Sequence, residues 1–206
     1  RQAALMETLL PRLAVPDLKG LLNPGALFPD KDEFQLEIGF GGGEHLAALA
    51  AGRPDVGFIG AEPFVNGVGK LLVHVDNASL ENVRIHFGDA RPLMEALPSG
   101  ALSRMFVLFP DPWPKKRHFK RRVVSPWFLQ EAARLLKSGG RLRVASDIDD
   151  YVRWTLMHAQ NAPAFEWTAK CAADWKARPG DWPATRYEMK AIAAGRTPAY
   201  LEFKRV

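Results

Sequence analysis

Four carboxylates each close a short apolar run along the chain: Glu37, Glu62, Asp89 and Asp111. Ionised carboxylates only accept hydrogen bonds, so acids held together suit the hydroxyl and amino donors of a nucleoside. After the first acid comes Ile38-Gly39-Phe40-Gly41-Gly42-Gly43. Glycine at Gly39, Gly41 and Gly43 tolerates positive φ and lets a ligand approach the backbone. A dinucleotide fingerprint would place its third glycine at position 44, where this chain has Glu44. That carboxylate would oppose a pyrophosphate at a helix N-terminus, where anions are otherwise stabilised. A nicotinamide-dependent oxidoreductase is therefore disfavoured. A cofactor without phosphate, S-adenosyl-L-methionine (SAM), suits the turn. Glu62, 23 positions after Gly39, is spaced to accept both ribose hydroxyls. Asp89, in Gly88-Asp89-Ala90, is placed to meet the adenine amino group.

The fourth acid opens a segment of different character. Phe109 to Arg122 reads Phe-Pro-Asp-Pro-Trp-Pro-Lys-Lys-Arg-His-Phe-Lys-Arg-Arg, six cations against one carboxylate. Its net charge of +5 equals that of the whole chain, so the other 22 cations and 22 anions balance. A neutral body with one concentrated basic loop points to local capture of a polyanion. Pro110, Pro112 and Pro114 end the apolar run Met105–Phe109 and hold Asp111 on a stiff turn beside Trp113. Lys115, Lys116, Arg117, Lys120, Arg121 and Arg122 have the short spacing of a phosphate clamp. His118 and Phe119 among them are available for base stacking. Charge favours nucleic acid but does not by itself separate RNA from DNA.

These residues need a scaffold, and the sequence supplies one. Strands are predicted at Phe34–Ile38, Val56–Ala61, Val83–Phe87, Met105–Phe109 and Arg141–Ala145, each a short apolar run. Between them lie helical stretches: Glu44–Ala51, Val65–Val75, Ser125-Pro126 through Lys137 with Gly139-Gly140 as its stop, and Tyr151–Ala159. Alternation of this kind predicts an α/β fold with a doubly wound, mostly parallel sheet and helices on both faces. Ligands in such folds sit beyond the carboxyl ends of the strands, where the four acids stand. Tyr200–Val206 reads as an added edge strand, and residues 1–33 as an N-terminal helix and connector. One domain over residues 1–206 is expected.

Other features bound the function. Cys171 is the only cysteine, no apolar stretch approaches eighteen residues, and no signal-peptide pattern is present, so a cytoplasmic address is expected. The five histidines are scattered without ligand spacing, so no metal is expected. Asp147-Ile148-Asp149-Asp150 reads as a strand end plus helix N-terminal acids, with Asp147 its one functional candidate. Trp154, Trp167, Trp175 and Trp182 read as packing residues.

The chain resembles the bacterial tRNA (guanine-N7-)-methyltransferases from about Glu37 to Glu188. The resemblance is carried by Glu37-Ile38-Gly39-Phe40-Gly41, Gly60-Ala61-Glu62, Gly88-Asp89-Ala90, Phe109–Arg122, Ala145-Ser146-Asp147 and Thr185-Arg186-Tyr187-Glu188. It implies a Rossmann-like methyltransferase fold and methyl transfer from SAM to N7 of a guanine in the tRNA variable loop. It also implies that Glu37, Glu62, Asp89 and Asp111 contact SAM, with Asp111 catalytic as well. Lys115, Asp147, Thr185, Arg186, Tyr187 and Glu188 would be substrate contacts, and the basic run after Lys115 would meet RNA. Family members carry more basic sequence before the first helix, where this chain has Arg1, and sequence preceding Arg1 is expected. A second reading is a catalytically silent RNA-binding protein on the same fold, and the four acids argue against it. Monomer and homodimer both stay open.

Overall fold

The computed structural model describes residues 1–206. Its centre is a seven-stranded sheet in the order β3-β2-β1-β4-β5-β7-β6. The strands are β1 (Glu33–Ile38), β2 (Val56–Glu62), β3 (Val83–Phe87), β4 (Leu102–Leu108), β5 (Leu136–Ser146), β6 (Phe165–Trp167) and β7 (Ala199–Arg205). The first five run parallel, and β7 lies antiparallel to β5 and β6. Parallel strands covered on both faces read as continuous apolar runs, and every residue of β2 is buried.

Ten helices flank the sheet: α1 (Gln2–Thr8), α2 (Leu10–Leu13), α3 (Pro24–Leu27), α4 (Glu44–Gly52), α5 (Val65–Ala78), α6 (Ala90–Ala96), α7 (Pro126–Leu135), α8 (Asp149–Gln160), α9 (Ala173–Lys176) and α10 (Arg186–Ala193). One face carries α4 and α5 through Leu46, Val68, Leu71 and Leu72, with α1 and α2 against them. The other carries α6, α7 and α8 through Leu93, Phe128, Leu129 and Tyr151. No helix is long and apolar enough to cross a membrane. The α/β doubly wound expectation holds.

Several boundaries differ from the sequence reading. β4 ends at Leu108, and Phe109 turns into the left-handed region at φ 50°. Helix α7 stops at Leu135 rather than Lys137, because Leu136 pairs with Leu102 and begins β5 early. β5 then bulges, and its bond register against β4 resumes at Arg141 opposite Arg104. The Tyr200–Val206 run is not the edge: β7 lies between β5 and β6, and the short β6 closes the sheet. Trp182 is buried and stands edge-on to Tyr200 at 5.5 Å, whereas Trp167 remains 39% exposed.

A candidate active site at the carboxyl ends of β1 and β4

Strand order reverses between β1 and β4, the point where ligands bind in doubly wound sheets. A cleft of about 990 Å³ opens there. It is lined by the glycine-rich turn after β1, the ends of β2 and β4, and the first turns of α6, α7 and α10.

Glu62 is the most firmly built acid in it. The residue is 4% exposed, and its carboxylate accepts from the Gly41 amide at 2.8 Å and the Phe64 amide at 3.0 Å. Burial pushes its carboxyl above the usual carboxylate range, and these amides oppose that rise. Asp89 caps α6, accepting from the Arg91 amide at 2.9 Å, and its carboxylate also takes the Arg91 guanidinium. These hydrogen bonds hold its carboxyl below the usual range. Asp111 is exposed at the cleft wall, and no hydrogen bond or ion pair of the chain engages its carboxylate. Its charge, with that of Glu37, adds a little to the rise at Glu62. Three cleft acids with one left free suit a cationic ligand.

The glycine turn divides in two. At Gly41, with φ +57°, a Cβ would stand 2.8 Å from the Tyr187 ring, so the turn and α10 meet here. Gly43, at φ +77°, caps α4 outside the cleft, and a Cβ would strike Leu71 at 2.7 Å. The contacts it makes here are packing contacts, where a cofactor contact is expected from the sequence. Glu44 lies over Gly42, a carboxylate where a pyrophosphate would need a donor. A nucleoside carried on a sulfonium fits this turn, with Glu62 and Asp89 as acceptors and Ile38, Ala61 and Met94 as apolar walls.

Glu37 sits apart from the cleft acids. It is 2% exposed, bonded to His45 Nδ1 at 2.8 Å, and absent from the cleft lining. Both faces of β1 are covered, so a strand-end carboxylate there turns inward and finds a partner on α4. His45 in turn stands edge-on to Phe106 at 4.9 Å.

The basic segment is a 3₁₀ turn over Lys116–Arg121. Lys115, Lys116, Arg117, Lys120 and Arg121 are exposed, and Lys120 and Arg121 reach the cleft. Arg121 lies over the Trp113 ring at 4.8 Å, and His118 meets its edge at 5.7 Å. Phe119 instead meets Trp154 at 5.2 Å and carries the Arg122 guanidinium over its ring at 3.9 Å, which removes one face from base stacking. Arg122 lines the cleft as well, but unlike the other five cations it is 3% exposed and its guanidinium is bonded within the fold.

Among the remaining candidates, Arg186 and Tyr187 face the cleft. Thr185 and Glu188 do not. They form a reciprocal capping box at the start of α10, Thr185 accepting from the Glu188 amide at 3.0 Å. Glu188 also accepts from the Tyr200 hydroxyl at 2.5 Å and pairs with Arg178 at 3.0 Å. Asp147 is paired with Arg196 at 2.5 Å and lies outside the cleft lining. Cleft residues that the sequence reading missed include Asn66, Lys70, Arg91 and Trp127. Three of them sit within a turn or two of a predicted helix start, the signal that could have found them. No three His, Cys, Asp or Glu side chains converge as a metal would need.

Comparison with known proteins agrees with this geometry. A family model described as "Putative methyltransferase" matches residues 31–200. A tRNA (guanine-N(7)-)-methyltransferase of Rhodospirillum rubrum is 56% identical, covering 98% of this chain and 81% of its own. Its namesake in Azorhizobium caulinodans is 53% identical, covering 100% of this chain and 89% of its own. Among solved structures, the 16S rRNA methyltransferase KamB superposes with a TM-score of 0.66 at 17% identity, over 91% of this chain and 95% of that one. That likeness establishes the methyltransferase fold. With identities above half over nearly its whole length, the chain belongs to the tRNA (guanine-N7-)-methyltransferase family.

Proposed function

We propose that this protein methylates N7 of a guanine in the tRNA variable loop, giving 7-methylguanosine, with Asp111 as the catalytic carboxylate. Family membership supports the reaction, and the unpaired Asp111 between an acid-lined cleft and a basic loop supports the residue. Bound SAM supplies an electrophilic methyl group on a sulfonium. Guanine N7 carries a lone pair and no proton, so forming the new N–C bond as the S–C bond breaks needs no general base. What develops instead is positive charge on the base.

Asp111 accepts from the guanine Watson–Crick edge and balances that charge as it grows, electrostatic stabilisation combined with positioning. At about 4 Å and an effective dielectric near 20, such a pair is worth roughly 4 kcal/mol before desolvation. Glu62 takes the ribose hydroxyls and Asp89 the adenine amino group. Lys115, Lys116, Arg117, His118, Lys120 and Arg121 hold the RNA, while Arg186 and Tyr187 line the cleft beside the glycine turn. Phosphate contacts of this kind fix position without reading sequence, so tRNA choice also rests on shape.

The test is transfer of labelled methyl from SAM to unmodified tRNA, followed by nucleoside analysis. Label is expected in 7-methylguanosine, and label in another nucleoside would overturn the assignment. Asp111→Asn should lose turnover while SAM affinity is nearly kept. Unchanged turnover in that variant would remove Asp111 from the chemistry.

A further inference from the structure

We propose that Arg122 is a positioning residue for catalysis: a buried guanidinium that sets the Asp111 turn by clamping its backbone to α8. The inference rests on the role given to Asp111 above. In the sequence Arg122 is the last of six similar cations, and only the fold separates it from them.

Its side chain is 1% exposed. Nε donates to the Pro112 carbonyl at 2.8 Å and Nη2 to the Trp113 carbonyl at 3.4 Å, the two residues following Asp111. Nη2 also pairs with Asp150 in the first turn of α8. The guanidinium plane is enclosed by aromatic rings, with Phe119 at 3.9 Å, Trp154 at 4.8 Å and Tyr151 at 5.6 Å from its centre. A cation this deeply buried persists only where partners hold it on several sides. A planar fork meets two carbonyls, a carboxylate and ring faces at once, and an ammonium cannot.

The turn needs such a clamp. Phe109 and Trp113, on either side of Asp111, both occupy the left-handed region, at φ 50° and 40°. Side chains avoid that conformation, so the surroundings must over-determine it. Pro110, Pro112 and Pro114 also remove three amides that could have tied the turn to itself. The restraint therefore comes through carbonyls, and Arg122 takes two of them. Downstream, α8 continues the anchorage: Trp154 Nε1 donates to the Val124 carbonyl at 2.6 Å, and the Val124 amide donates to the Tyr151 hydroxyl at 3.2 Å. The segment is thus divided. Lys115, Lys116, Arg117, Lys120 and Arg121 are exposed to solvent, and Phe119 and Arg122–Val124 pack on the helix.

A residue that places Asp111 affects an interaction gained as charge develops, so its loss appears in kcat rather than in tRNA affinity. The experiment compares Arg122→Lys with the full-length wild type, using SAM and unmodified tRNA. A fall in kcat of about 10- to 100-fold is expected, with SAM affinity, tRNA KM and the salt dependence of tRNA binding unchanged. In an Asp111→Asn background the same change should cost little more, because two residues acting through one interaction are not additive. If Arg122→Lys keeps kcat, or raises tRNA KM with a shallower salt dependence, Arg122 is a phosphate contact and the proposal fails. If Asp111→Asn alone keeps full turnover, the role of Asp111 fails first and takes this route with it. Should Arg122→Lys not fold, Asp150→Asn decides the matter, since Asp150 is 56% exposed. A drop in kcat of about threefold at unchanged tRNA KM is then expected, and an unchanged kcat overturns the proposal.

Discussion

Glu62 shows how one buried carboxylate can be both required and costly. Two backbone amides hold it, yet burial is the larger influence and raises its carboxyl above the ordinary range, with the charges of Asp111 and Glu37 adding to the rise. The folded protein therefore takes up a proton at Glu62 at higher pH than the unfolded chain does. Between those two values the group's contribution to stability grows as pH falls, while the acceptance of two ribose hydroxyls proposed for it would be lost. SAM affinity should thus weaken on mild acidification, and Glu62→Gln should abolish that step while raising the SAM dissociation constant about 10- to 100-fold. Calorimetric titration of both proteins across the mildly acidic range measures this, and an equal pH response in the two would refute it. Side-chain roles of this kind were only partly legible in the sequence. Glu62 and Asp111 could be placed at strand ends, whereas Glu37 and Arg122 could not be told from their neighbours. Their burial depends on partners carried by other elements, His45 eight residues on in α4 for one and Asp150 with Trp154 on α8 for the other. No local pattern carries that information.

Helix α10 illustrates positioning by an element. Its N-terminus brings Arg186 and Tyr187 to the cleft, and Tyr187 comes to rest on Gly41. Thr185 and Glu188 make this possible by satisfying the amides at the helix start. Thr185→Ala should cost about 1 kcal/mol of stability, seen as a fall of roughly 2–4 °C in thermal midpoint for a chain of this size. It should also raise tRNA KM, because the fraying turn carries two cleft residues. A thermal midpoint equal to wild type would show that the cap contributes nothing. The Thr-x-x-Glu spacing is itself a capping-box signature, so this role was present in the sequence although family resemblance assigned the run to substrate. The parallel strands were legible for a related reason: β2 and β4 are buried almost throughout and read as apolar runs. β6 was not, since of its three residues only Phe165 is buried. Nor was the interior place of β7, because strand order is a matter of long-range pairing rather than local composition.

Across the whole molecule, cations without an ion pair are most concentrated in one segment. Arg53 pairs with Asp55 and Glu33, Arg143 with Glu202 and Asp181, Arg196 with Asp147, and Arg178 with Glu188. Arg122 is taken by Asp150. Lys115, Lys116, Arg117, Lys120 and Arg121 are exposed and form no ion pair, and Lys120 and Arg121 line the cleft. A polyanion approaching a body that is otherwise balanced is drawn to this segment, and counterions released from its phosphates make the binding salt-dependent. If about four of these cations meet phosphates, the slope of log affinity against log salt should lie near −3 for single-stranded contacts and steeper for duplex. Lys116→Gln and Arg117→Gln should each flatten that slope by about 0.7 with kcat little changed. Lys137→Gln is the control. Lys137 is exposed at the start of β5, and β5 runs parallel to β4, which places it at the opposite end of the sheet from the cleft. Its slope should match wild type. Equal flattening by all three would mean that tRNA responds to net charge alone, and the basic segment would lose its claim to be the docking site.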